Sequence, residues 1–329
     1  MNIDFEDDAL YRLETIHITT INDIGTAMTQ WNIQNIVEEL QQARNEWRTR
    51  QKSLKDFGGR ELPSKEEIKK IMNDLCGILF PMRLGPHDLR QQSENFYIAH
   101  TLEKTLYALR EQVRLNLTYD YKYKKHNENV EVIDVLAQSL VSEFAQKLPE
   151  LRRVLDTDVI AAYDGDPAAR SVDEVLLCYP GVLAIIYHRI AHEFYKKDLS
   201  LLARLIAEIA HSKTGIDIHP GAQVDQGFFI DHGTGVVIGE TCIIGKNVRI
   251  YQAVTLGAKR FEVDDTGRLQ KEYARHPIVE DNVVIYAGAT ILGRITIGQG
   301  AIIGGNVWIT HSVPANSAIS QSSATKSQV

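Results

Sequence analysis

The residues best suited to chemistry gather in the last third of the chain. Asp231 and His232 are adjacent, Asp217 lies fourteen residues earlier beside His219, and Arg275 is followed directly by His276. An imidazole within reach of a hydroxyl can act as general base, and a carboxylate behind it fixes its tautomer and steadies the imidazolium. A second carboxylate and a guanidinium can hold an ammonium and a carboxylate, the two charged groups of an amino acid. A metal centre is the competing reading. His219, His232, His276 and His311 include no closely spaced pair, and His188 and His192, four apart, have no second half of a motif, so no metal is expected. Gly233-Thr234-Gly235 opens no strand–helix unit and is not a dinucleotide fingerprint. Cys242 reads as a small core residue.

These residues stand at interruptions of a repeat. Ile218, Val224 and Ile230, then Ile238, Ile244, Ile250 and Leu256, then Val279, Ile285, Ile291, Ile297, Ile303 and Ile309 follow one another every six residues. A period of six with one inward aliphatic per hexad predicts a parallel β-helix, three hexads to a triangular coil. A β-sandwich would instead show turn clusters every 8–12 residues. Gly239, Gly245, Gly293, Gly298 and Gly304 are expected at corners that need unusual φ. The repeat breaks first at His232–Gly235, by two residues, and again over residues 259–275, by seventeen. A solenoid accepts insertions only as loops leaving the coil, often on its functional face. Each break carries one of the histidines.

Upstream the period is helical, so the fold expected is α + β: an all-α region over 1–212, a β-helix over 213–315 with a loop at 259–275, and a tail at 316–329. Ser64 and Glu67 form a capping box ahead of Ile68, Ile71, Met72, Leu75 and Leu79, and Pro81 should stop that helix. A second helix is expected over 88–118 and a third over 130–148, ended by Pro149 and the turn Asp164-Gly165-Asp166-Pro167. One or two more follow over 173–212, broken near Pro180-Gly181, with Gly215 as the stop.

The 329 residues carry a net charge of −7, which disfavours a nucleic-acid binder. The three cysteines are far apart and include no Cys-x-x-Cys, the apolar runs are too short for a bilayer, and the acidic start MNIDFEDDAL lacks a signal peptide's basic n-region. A reducing cytoplasm is therefore the expected location, with no membrane partner.

Together, Asp217-Ile-His219-Pro220, Asp231-His232-Gly-Thr-Gly235 with Val-Val-Ile-Gly239-Glu240-Thr241, Val254-Thr255-Leu256-Gly257 and Arg275-His276-Pro277 resemble serine O-acetyltransferases of the left-handed β-helix acyltransferase superfamily. Asp166-Pro167-Ala168 and Tyr187-His-Arg189-Ile190-Ala191-His192 look like the same family's helical region, here about 126–212, with 1–125 as an extension. The resemblance implies acetyl transfer from acetyl-CoA, a co-substrate and not a permanently bound cofactor, to the hydroxyl of L-serine, giving O-acetyl-L-serine for cysteine synthesis. By position His232 resembles the general base, Asp217 its orienting partner and His276 the second active-site histidine. Asp166 and Asp231 match the ammonium-binding residues, and Arg275 the carboxylate-binding one. Ala258, Ala287 and Gly305 match positions whose backbone contacts CoA in a groove between subunits. Direct attack also needs an oxyanion donor, for which a backbone N–H near Gly257–Ala258 is the candidate. The resemblance further implies a homotrimer or dimer of trimers, and L-cysteine as feedback inhibitor.

The chain departs from the family's pattern in three places. Gly257-Ala258 replaces the usual Gly-Gly, the 259–275 loop is long, and the chain ends Lys326-Ser-Gln-Val329 where many members end in isoleucine. The last departure predicts weak or absent binding to O-acetylserine sulfhydrylase. A hexapeptide-repeat acyltransferase acting on a sugar or amino sugar, and a non-catalytic β-helix scaffold, remain the alternative readings.

Overall fold

The computed structural model describes residues 31–50, 62–124, 130–260, 269–270 and 273–321. The tail ending at Val329, most of the 259–275 loop and the first thirty residues lie outside these. The chain divides into two compact units at residue 60. Within the first, the described element is helix α1 (Ile33–Arg50), none of whose residues is buried. The second unit holds every element described below.

Helix α2 (Lys65–Leu79) starts as its capping box requires. Ser64 Oγ accepts from the Glu67 N–H, and Ile68, Ile71, Met72, Leu75 and Leu79 are all buried. It ends before Pro81, which does not merely stop the chain but opens the short helix α3 (Pro81–Leu84) from the N1 position. Helix α4 (Glu94–Lys124) starts later and runs further than expected. Helix α5 (Val130–Gly165) corrects a second expectation, for it runs straight through Pro149. A proline inside a helix costs about 3 kcal/mol. Here Phe144, Leu148, Leu151, Leu155 and Val159 continue one buried stripe across it, and their burial outweighs that cost. Three helices follow instead of one or two: α6 (Val172–Cys178), α7 (Pro180–Tyr195) and α8 (Ser200–Thr214). The break between the last two falls at 196–199, where Asp198 has φ +60. Gly215, at φ +70, ends α8 in the left-handed conformation that a side chain would strain.

From Asp217 the chain winds as a left-handed parallel β-helix. Its three sheets are β1 (Asp217–Ile218), β4 (Val237–Ile238), β7 (Thr255–Gly257), β10 (Thr290–Leu292) and β13 (Trp308–Ile309); then β2 (Gln223–Val224), β5 (Ile243–Ile244), β8 (Ile278–Val279) and β11 (Thr296–Ile297); then β3 (Phe229–Ile230), β6 (Arg249–Ile250), β9 (Val284–Ile285), β12 (Ile302–Ile303) and β14 (Ala318–Ile319). All thirteen periodic aliphatics fall in these strands and stack on one another, Ile238 on Leu256 and Ile285 on Ile303, one coil of eighteen residues apart. Twelve of them are buried, and Val224 packs against the same core. The two insertions leave the register intact: Val237 pairs with Asp217, and Thr290 with Thr255, across them.

The corners use glycine only in part as expected. Of the five predicted corner glycines only Gly293 has positive φ; other left-handed positions of the coil are held by Gly227, Gly288 and Gly300 and by Asn247, Asn282, Asn306 and Asn316. Asparagine tolerates that region because its side chain bonds locally. Gly239, Gly245, Gly298 and Gly304 answer a different need, close approach: at each, an added Cβ would meet a neighbouring coil within 2.0–2.8 Å.

The helices are locked to the first coil by one buried ion pair. Arg189 on α7 grips both oxygens of Asp158 on α5 at 2.6 and 2.8 Å and also donates to the carbonyls of Val224 and Asp225. Asp158 accepts in turn from the Phe228 N–H. Removing either partner would leave an uncompensated buried charge. Among the described residues no single helix is long and apolar enough to cross a membrane.

Candidate active site

Two clusters form, and they sit on different corners of the triangular coil. The first is at the turn from β3 into β4, where the two-residue insertion bulges out. His232 takes φ +58 there, so its ring projects from the coil with 70% of its side chain exposed. Its Nδ1 stands 3.6 Å from Asp231 Oδ1. Asp166 enters from the end of α5, immediately after Gly165. One of its oxygens accepts from the Ala168 N–H and the other from the Tyr179 hydroxyl. That hydroxyl, with the Ala168 N–H and the nearby His232 and Arg249, holds the Asp166 carboxyl below the usual range, and the Tyr179 phenol is pushed up by the same bond. The Asp166 carboxyl is thereby held in its charged form.

The contact expected between Asp217 and His232 is absent within the single chain. The corner bearing His232 is laid across Gly215–Asp217 by the bonds Gly235 N to Gly215 O and Asp217 N to Val236 O. Even so, the carboxylate facing Nδ1 is Asp231, because the left-handed turn at His232 carries the ring outward beside its own neighbour. Among the described residues the Asp217 carboxylate has no hydrogen-bond or ion-pair partner.

The second cluster is at the turn from β4 into β5, where the chain returns from the long loop. Thr241 Oγ1 accepts the N–H groups of both Arg275 and His276, which pins the end of the loop to the coil. The Thr241 N–H donates to His276 Nδ1 at 3.1 Å. With Nδ1 an acceptor, the neutral ring carries its proton on Nε2 and presents it as a donor. The ring lies flat on Gly239: a Cβ there would stand 2.0 Å from His276 Cδ2, so only glycine leaves room. Arg275 donates to Glu240 Oε2 at 2.6 Å, and Glu240 Oε1 accepts from Tyr195 at the end of α7. Glu240 thus anchors the guanidinium to the helical region. His219 packs edge-on to Tyr195 and accepts from the Gly221 N–H.

The glycines and alanines proposed for a cofactor divide in the same way. Gly257 ends β7 and Ala258 follows it on the second corner, above Gly239. Ala287 follows β9 and Gly305 follows β12, stacked on the first corner, where a Cβ at Gly305 would stand 3.1 Å from the Ala287 carbonyl. No role was expected for Tyr179, Tyr195, Glu240, Thr241 or Arg249. Glu240 and Thr241 could have been suspected from their place beside Gly239; nothing local marks the two tyrosines, which reach the site from the junction of α6 and α7 and from the end of α7.

Among the described residues no three His, Cys, Asp or Glu side chains converge as metal ligands. The rings of His188 and His192 lie 5.8 Å apart, and His192 Nδ1 bonds the Pro220 carbonyl. Cys242 is buried and its thiol is pushed up to about 12.

Burial favours the neutral form of four histidines. It pushes His219 and His276 each down to about 4, and lowers His188 and His192 as well. In the unfolded chain histidine protonates near 6.5. Between those values the unfolded state binds more protons than the folded one, so this contribution to stability is full above about pH 6.5 and is lost as the pH falls toward about 4. A melting temperature that is level above about pH 6.5 and falls steadily below it is expected in a thermal-denaturation series. A melting temperature that held level down to about pH 4 would contradict the burial of neutral histidines.

The family model described as bacterial transferase hexapeptide (six repeats) matches residues 276–311. A Synechococcus elongatus protein named serine acetyltransferase, plasmid, is 53% identical over 292 residues, covering 88% of this chain and 91% of its own. A Bacillus subtilis serine acetyltransferase is 49% identical over 162 residues, 49% of this chain and 70% of that relative. Among solved structures, Entamoeba histolytica serine acetyltransferase 1 in complex with L-cysteine is similar with a TM-score of 0.66 at 40% identity, over 76% of this chain and 85% of that one.

Proposed function

The chain belongs to the serine acetyltransferase family, and from that premise we propose that its two clusters are the halves of one site that transfers acetyl from acetyl-CoA to the hydroxyl of L-serine. The observation that carries the reading is their chemical complementarity. One corner offers paired carboxylates and an exposed imidazole, fit for an ammonium and a hydroxyl. The other offers an anchored guanidinium and an imidazole N–H, fit for a carboxylate.

His232 takes the serine hydroxyl proton as the oxygen attacks the thioester carbonyl. The tetrahedral oxyanion is met by a backbone N–H at Gly257–Ala258. Collapse breaks the C–S bond, and the imidazolium returns its proton to the CoA thiolate, leaving O-acetyl-L-serine and CoA. Asp166 and Asp231 hold the ammonium. As Asp231 turns to the substrate, the unpartnered Asp217 accepts a hydrogen bond from Nδ1–H, orients the ring and stabilises the imidazolium. Arg275, positioned by Glu240, holds the carboxylate together with His276 Nε2–H. The acetyl-CoA chain runs past Gly257 and Ala258 on one side and Ala287 and Gly305 on the other; no permanently bound cofactor is needed. L-Cysteine carries the same ammonium and carboxylate and competes with serine for these groups.

A serine molecule is too small to bridge two corners of one coil, because a strand rising about 3.3 Å per residue separates them. The complete site therefore needs the first corner of one chain against the second corner of a neighbour, as in a homotrimer or dimer of trimers. Complementation tests this. Chains carrying His232→Ala and chains carrying Arg275→Glu are expected to be inactive alone and to regain activity when co-expressed, since mixed assemblies restore an intact site at some junctions. Co-assembled chains that stayed inactive would show that each site lies within one chain.

A further inference from the structure

The catalytic clusters leave α1 unexplained. It is a helix of 18 residues with nothing buried, although Ile33, Ile36, Leu40 and Trp47 are apolar and each 45–55% exposed. An isolated helix of this length is marginal in water, so its stability calls for packing of its apolar face. The spacing says what kind of packing. Ile33, Ile36, Leu40, Ala43 and Trp47 are separated by three, four, three and four residues, the period of 3.5 that keeps a seam facing a second helix.

The flanking charges identify the partner. With Ile33, Leu40 and Trp47 at the first core position and Ile36 and Ala43 at the second, Glu39 and Glu46 fall on one flank of the seam, and Val37 and Arg44 on the other. Glu39 and Arg44 are five residues apart and cannot pair along their own helix. Among the described residues neither has an ion-pair partner. In a parallel pair of identical helices, Glu39 of one faces Arg44 of the other. In an antiparallel pair, Glu39 would face Glu46. We propose that α1 forms a short parallel coiled coil with the α1 of another copy of this chain. Two and a half heptads are too few to associate tightly from dilute solution, so the pairing rests on the assembly proposed above to hold the copies at high local concentration.

Position-specific disulfide formation in the full chain tests this. The exposed Cys178 is first replaced by serine; Cys76 and Cys242 are buried. Ile36→Cys and Leu40→Cys place thiols on the seam, and Glu38→Cys places one on the opposite face. Under mild oxidation the seam variants are expected to give covalent dimers and the Glu38 variant none. In the Leu40→Cys background, Arg44→Glu should lower the yield several-fold and Glu39→Arg added to it should restore it. Equal cross-linking at all three positions, or none on the seam, would overturn the proposal; the latter is also the result if another part of the same chain covers the seam. Solution mass and acetyl transfer are read on the same samples. A seam that fails to cross-link in an active assembly of full mass defeats the coiled coil and leaves the catalytic reading standing, while inactive, dissociated chains defeat the catalytic assembly.

Discussion

Replacing His232 with alanine is expected to lower kcat by about 10²–10⁴ while leaving acetyl-CoA binding nearly unchanged. The size follows from the chemistry. A serine hydroxyl is a weak nucleophile near neutral pH, and its attack on a thioester needs the proton removed in the transition state. His232 is the one exposed imidazole on the corner that also carries Asp166 and Asp231. The other imidazole of the site, His276, has its Nδ1 committed to Thr241 and its acidity set by burial, which suits a donor and not a base. Steady-state kinetics with L-serine varied at saturating acetyl-CoA would measure the loss. Turnover near that of the parent chain would place the base elsewhere. Asp217→Asn and Asp231→Asn extend the test: the first should lower kcat through the orientation of the ring, the second should chiefly raise KM for serine.

Arg275→Ala is expected to raise KM for serine by roughly 10–100-fold with a smaller change in kcat, because a charged hydrogen bond is worth about 1.5–3 kcal/mol. The surroundings make the loss larger than one contact. Arg275 is held at 2.6 Å by Glu240, so its removal leaves that carboxylate facing the carboxylate of the substrate. Adding Glu240→Gln to Arg275→Ala should therefore recover part of the lost affinity. Initial-rate measurements across serine concentration decide the matter, and an unchanged KM would reject a carboxylate-binding role for Arg275.

The β-helix was legible because its physics is periodic. One inward aliphatic per hexad must recur wherever the coil continues, so Ile218 to Ile309 marked the strands, and the two lapses marked the loops that bear His232 and His276. The helices were legible where a cap or a left-handed stop is local, at Ser64 and Gly215. They were not legible at Pro149, where a local penalty is outweighed by a buried stripe contributed by distant neighbours. The corners misled for a similar reason. Glycine signals either unusual φ or close approach, and at Gly239 the cause is the ring of a residue 37 positions later. The candidate residues could be chosen by type, but an insertion erases the phase of the repeat, so their division between two corners became visible only in three dimensions. The contacts that Tyr179 and Tyr195 make from the helical region carried no sequence signal at all.

The central claim is that this chain acetylates L-serine, and release of the CoA thiol from acetyl-CoA measures it most directly. With the purified full chain, thiol release is predicted to depend on L-serine and to be far slower with D-serine, a sugar or no acceptor. Release at the same rate with a galactoside as with L-serine, or no release with any acceptor, would contradict the account.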